Sequence, residues 1–144
     1  MSTLAVPMWK SWILSFRPKT LTAAVVPIFG ATSLAYFEGY EIAFWIPGLA
    51  LLCALLIQIG TNLINDAMDY KKGADTAERI GPTRVTQSGL ISSRNVFLGA
   101  GFVFLLAALL GVPLVLHGGM PILWIGVLSL IAGYSYTGGP FPLA

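Results

Sequence analysis

Charge is what this sequence has least of. Its 144 residues hold eight Lys or Arg, six Asp or Glu and one His, so charged side chains make up 10%, against about 25% in an ordinary soluble domain. That scarcity excludes a water-facing globular surface. A net charge of +2 also excludes nucleic acid as a partner, because such proteins carry a concentrated basic footprint. Cysteine occurs once, at Cys53 inside an apolar run, so no disulfide can form within the chain and the thiol is expected to pack in a membrane helix. What abounds is apolar: 56% of residues are hydrophobic and the mean hydropathy is +0.81. The first apolar run is longer than the core of a secretory signal, and no small-residue cleavage site precedes a soluble domain, so no such signal is expected. The fold class expected is all-α, an integral membrane helical bundle embedded in the lipid bilayer.

A spanning helix needs about 20 mainly apolar residues. The pattern predicts four helices, near residues 12–37, 42–70, 96–116 and 122–137, in one membrane domain covering residues 1–144. The first opens on an amphipathic lead-in at 12–16, and Pro27 with Gly30 predicts a local kink in it. Ser92 or Ser93 is the expected N-cap of the third, and Gly138-Gly139-Pro140 reads as a helix stop. Every Lys and Arg falls in two places: Lys10, Arg17 and Lys19 before the first span, and Lys71, Lys72, Arg79, Arg84 and Arg94 between the second and third. The other two connections offer only Glu38, Glu41 and His117, the last read as a solvated loop histidine. Positive charge marks the cytoplasmic side. The N-terminus and the 71–94 loop are therefore expected in the cytoplasm, in a multi-pass protein of the cell membrane. Trp9, Trp12, Trp45 and Trp124 fall near the predicted interfaces, as an aromatic belt does.

Residues 62–87 stand apart. On a helix running to Tyr70, Asn62 and Asp66 are one turn apart, as are Asn65 and Asp69, and Asp66 and Asp69 are i and i+3 on one face. Carboxylates this close repel each other and are costly near a membrane. A divalent cation removes both penalties. Oxygen donors without His or Cys favour Mg²⁺, which one or two carboxylates hold together with substrate phosphates. Lys71, Lys72, Arg79 and Arg84, which follow, suit the remaining charge of a diphosphate. Gly73 is expected to end the helix, and Asp75 with Glu78 resembles a capping box, so Asp75 is a cap, a metal ligand or both. A solvated helix end followed by an orientation-setting basic loop is the plainer alternative. It gives no reason for Asn62, Asn65, Asp66 and Asp69 to cluster. A small cation-binding or transport subunit is another alternative, but it would place its acids nearer the bilayer midplane.

The run N-D-A-M-D-Y-K-K-G-A-D-T at 65–76, with I-G-P-T-R-V-T-Q-S-G at 80–89, resembles the first aspartate-rich motif of the UbiA superfamily of intramembrane prenyltransferases. The G-x-D spacing, the R-I-G-P-T-R continuation, the lead W-I-L-S-F-R-P-K-T-L-T and the closing Y-S-Y-T-G-G-P-F-P-L-A are similar to the branch that uses 1,4-dihydroxy-2-naphthoate. The resemblance implies transfer of a polyprenyl group from polyprenyl diphosphate to that ring with decarboxylation, giving demethylmenaquinone in menaquinone biosynthesis. Homogentisate, 4-hydroxybenzoate, haem and chlorophyllide are the other acceptors it allows. It implies Mg²⁺ as cofactor, with Asn62, Asp66 and Asp69 serving the Mg²⁺-diphosphate, Asn65 supporting them and Asp75 a further ligand. Lys71, Arg79, Arg84 and Gln87 become substrate contacts, and Arg17 either a contact at the cavity mouth or an interfacial anchor. The superfamily has about nine membrane helices and a second aspartate-rich motif, whereas no acidic residue follows Glu78 here. The chain thus reads as the first half of such a fold, and residues 1–144 alone are expected to show little or no transfer.

Overall fold

The computed structural model describes residues 7–71, 85–140 and 142–143. Among these residues five α-helices follow one another: α1 (Met8–Phe16), α2 (Thr22–Phe37), α3 (Trp45–Lys71), α4 (Ser93–Gly118) and α5 (Met120–Ser135), with a 3₁₀ turn at Pro18–Thr20 between the first two. There is no strand among the described residues.

The expected first helix is divided. Arg17 caps α1 in the left-handed region, with φ 52 and ψ 67, and the segments before and after the corner are bent by 48°. The cause is local: Arg17 precedes Pro18, and the proline ring disfavours the α conformation in the residue before it. Pro27, by contrast, lies within a continuous α2. α3 starts at Trp45, and Pro47 falls in its first turn, where no helical hydrogen bond is lost. Ser92 is the N-cap of α4, its hydroxyl accepting from the Asn95 N–H at 3.3 Å. Gly119, at φ 71 and ψ −157, is the only residue between α4 and α5. That conformation is open to glycine and strained for any other residue.

At a rise of 1.5 Å per residue, α3 with 27 residues and α4 with 26 each exceed a hydrocarbon core of about 30 Å. Both are apolar enough to cross a membrane, the bent pair α1–α2 makes a third span if counted as one, and α5, with 16 residues, is shorter. Phe102, Leu105, Leu109, Leu116 and Leu128 face outward. Apolar exposure on this scale belongs in lipid or against other membrane helices. The chain is a membrane helical bundle.

Its packed core lies at the polar end of α3. Leu63, Ile64, Ala67, Val85, Ile91, Val96 and Ala100 form one buried cluster, with Trp12, Phe16 and Phe104 against it. α3 and α4 are the main packed pair. They approach closely where a small residue stands at the seam: a Cβ on Gly60 would lie 2.6 Å from the Phe104 ring, and on the other side of α4 one on Gly99 would lie 2.9 Å from Trp12 of α1. Small residues do this in membranes, where packing rather than water exclusion joins helices.

Candidate active site

Advancing 100° per residue, Asn62, Asn65, Asp66 and Asp69 fall within an arc of about 100° on α3. The arc borders the buried face rather than opposing it. Asn62 and Asp66, on the inner edge, are buried, while Asn65 and Asp69 are half-buried. The four residues predicted from sequence therefore share one side of one helix, graded from buried to half-buried.

The inner pair is tied to other elements. The Asn62 amide nitrogen donates to the Phe16 carbonyl at 2.8 Å and to Thr20 Oγ1 at 2.9 Å. Phe16 ends α1, so its carbonyl lacks a helical donor. Asn62 supplies one and thereby fastens the Arg17 corner to α3. Arg17 itself is half-buried at that corner. Asn62, assigned to the Mg²⁺-diphosphate from the sequence, uses its amide nitrogen to tether α1 to the polar face; an asparagine would serve a metal through its amide oxygen. Asp66 is 2% exposed, and its Oδ1 accepts from Thr86 Oγ1 at 2.7 Å. The same hydroxyl lies 3.1 Å from the Asp66 carbonyl oxygen. Ser93 Oγ donates to the Ala67 carbonyl at 3.2 Å, securing the start of α4 one residue further along α3.

Gln87 stands exposed on the turn that carries Thr86. Lys71 closes α3 with its Nζ 5.4 Å from the Phe97 ring centroid, a cation–π contact with α4. Asp75, Arg79 and Arg84, like Lys72, Gly73 and Glu78, lie outside the described residues. Among the described residues no group of three His, Cys, Asp or Glu side chains converges; the acidic residues that the arc offers there are Asp66 and Asp69. That set fits Mg²⁺, which takes one or two carboxylates and fills its remaining positions with water and phosphate oxygen. It does not fit zinc, which prefers His and Cys.

A groove of about 530 Å³ lies between α1 and α4, lined by Trp12, Phe16, Leu63, Leu98 and Phe102. Among the described residues its lining has no carboxylate or cation. Thr86, Thr20 and the Phe16 carbonyl escaped sequence reading. They stand 20, 42 and 46 residues from their partners, and no periodicity reports contacts at such separations.

The UbiA prenyltransferase family profile matches residues 24–144. The chain is 37% identical to the 1,4-dihydroxy-2-naphthoate octaprenyltransferase of Escherichia coli (strain K12), covering 92% of this chain and 45% of that protein. It is 38% identical to the enzyme of the same name from Bacillus subtilis (strain 168), over 92% of this chain and 42% of the relative. It is 32% identical to the 2-carboxy-1,4-naphthoquinone phytyltransferase of Synechocystis sp., over 93% and 43%. The chain thus spans under half the length of the curated relatives it matches. No solved structure matches it at a significant level.

Proposed function

The chain belongs to the UbiA prenyltransferase family, and on that footing we propose that it supplies the first half of a site that moves a polyprenyl group from its diphosphate to 1,4-dihydroxy-2-naphthoate. The observation that carries this reading is the graded polar arc at the end of an apolar helix: Asn62 and Asp66 buried and bonded to other segments, Asn65 and Asp69 half-buried beside them.

In this reaction the allylic C1–O bond breaks, the diphosphate leaves with the electron pair, and the ring carbon bearing the carboxylate attacks C1. Carbon dioxide then departs, so the products are the prenylated naphthalenediol, diphosphate and CO₂. Asp69 and Asp66 would hold Mg²⁺, which supplies positive charge against the charge growing on the leaving diphosphate. Asn65 would orient Asp69 one turn away. Arg17, Lys71, Arg79 and Arg84 are assigned to the diphosphate oxygens, Gln87 to a polar contact near the substrates, and Asp75 as a further metal ligand. The apolar helix walls would shield the allylic cation from water. The basic segments at 10–19 and 71–94 would place this mouth on the cytoplasmic face of the cell membrane.

The acceptor is better supported than the donor. The relatives' names differ in the tail, octaprenyl against phytyl, but share a carboxylated 1,4-oxygenated naphthalene ring. A cation-transport role fits less well, because the buried Asp66 carboxylate is bonded to a turn at the end of α3 rather than set midway along it.

The test is a transfer assay in lipid vesicles on a full-length transferase bearing residues 1–144, offered 1,4-dihydroxy-2-naphthoate or 4-hydroxybenzoate. We expect product only with the naphthoate, abolished by EDTA and restored by Mg²⁺. Transfer to 4-hydroxybenzoate alone, or transfer indifferent to EDTA, contradicts the reading.

A further inference from the structure

Thr86 makes a short side-chain contact to the Asp66 carboxylate on the inner edge of the arc. Both partners are buried, Thr86 at 4% and Asp66 at 2% exposure, and the 2.7 Å separation is in the range of a hydroxyl donating to an ionised carboxylate. One hydroxyl carries one proton, so the shorter contact to Oδ1 takes it and the 3.1 Å contact to the carbonyl is secondary. A buried carboxylate tolerates its surroundings only when such donors are present.

The turn that presents Thr86 is internally closed. Gly89 N–H donates to the Thr86 carbonyl at 3.2 Å, and the N–H groups of Leu90 and Ile91 converge on the Val85 carbonyl at 3.0 and 3.3 Å. Gly89 holds φ 70, where glycine is favoured. Val85 and Ile91 are buried in the cluster around Leu63 and Ala67. Apolar burial holds the turn down, and the Thr86 hydroxyl fixes its register against the carboxylate. Gln87 follows Thr86 directly, so this proposed substrate contact takes its starting point from the bond.

We propose that Thr86 is a positioning residue: its hydroxyl locks the Asp66 carboxylate and the 85–91 turn in one register, and this lock sets the strength of Mg²⁺-dependent prenyl diphosphate binding. The inference rests on the function proposed above. Valine has the shape of threonine without the hydroxyl, and serine keeps the hydroxyl without the methyl.

In a full-length transferase bearing residues 1–144, Thr86→Val and Thr86→Ser are compared with the parent by two readouts. One is Mg²⁺-dependent binding of a polyprenyl diphosphate, with KM and kcat measured alongside. The other is amide hydrogen exchange at Gly89, Leu90 and Ile91. Loss of a hydrogen bond to a charged group predicts binding weaker by about tenfold or more in Thr86→Val. KM is expected to rise more than kcat falls, and exchange to quicken by a similar factor. Thr86→Ser is expected to stay within about threefold of the parent on each measure. Thr86→Ala, which adds no steric demand, gives the same reading if the valine variant does not accumulate. Parental binding in Thr86→Val or Thr86→Ala, whether or not exchange quickens, overturns the inference, and so does a Thr86→Ser variant as impaired as Thr86→Val. A parent protein with no Mg²⁺-dependent binding would instead sink the proposed function, and the inference with it.

Discussion

Replacing Asp69 by asparagine is expected to cut transfer by a factor on the order of 10²–10³, the scale on which single charge-stabilising groups act in enzymes, while the protein still folds. Asp69 is half-buried near the end of α3, outside the apolar cluster. Asparagine keeps its size, so stability should change by less than about 1 kcal/mol, as for other partly exposed charges. The lost quantity is one negative charge at a cation site. The requirement for Mg²⁺ should therefore rise together with the fall in turnover, which a packing defect would not produce. Asp66→Asn is a different case. The amide oxygen can still accept from Thr86, but the charge is gone, so the turn should hold while Mg²⁺-dependent turnover drops. Transfer assays across a Mg²⁺ titration, with thermal unfolding in detergent as control, separate the two quantities. An unchanged Mg²⁺ requirement in both variants would remove these carboxylates from the metal site.

Gly60→Leu is expected to damage the protein through its frame. A Cβ at Gly60 would meet three atoms of the Phe104 ring at 2.6, 2.8 and 2.9 Å, well inside the separation of about 3.5–4.0 Å at which carbon atoms rest. Leucine adds three more heavy atoms. Overpacking of this kind costs typically 1–3 kcal/mol, and the upper end is expected because the half-buried Phe104 ring on the facing helix must swing aside or α3 and α4 must part. The seam carries the site: Leu63, Ala67 and Val96 pack one to two turns along from Gly60, and the 85–91 turn sits on them. Activity should therefore fall with stability. Phe104→Ala in the Gly60→Leu background should recover most of both, giving a non-additive double-mutant cycle. Additive losses would show that the two residues do not meet.

Much of the frame was legible because it follows from local rules. The apolar runs, the Ser92 cap and the shared face of Asn62, Asn65, Asp66 and Asp69 all come from helix geometry and short-range capping. The break at Arg17 was legible in part. The following Pro18 signals it, but an apolar run resuming at Leu21 masks the signal. The hidden features are contacts between distant segments. Asn62 reads as one more polar residue of the arc until the Phe16 carbonyl and Thr20 are seen against it. Thr86 reads as one letter of a polar loop until it is found bonded to Asp66. Sequence pattern reports which face a residue occupies, while only tertiary structure reports which distant segments it is bonded to.

The central claim is that the arc on α3 receives a divalent cation together with a diphosphate. Manganese can stand in for magnesium, and its unpaired electrons sense the phosphorus nuclei of phosphate groups whose oxygens coordinate it. The direct measurement is pulsed electron paramagnetic resonance of Mn²⁺ with a polyprenyl diphosphate on a full-length transferase bearing residues 1–144. A phosphorus coupling is expected in the parent protein and its loss at the same concentrations in Asp69→Asn. Absence of the coupling in the parent, or its persistence in both Asp69→Asn and Asp66→Asn, would contradict the claim.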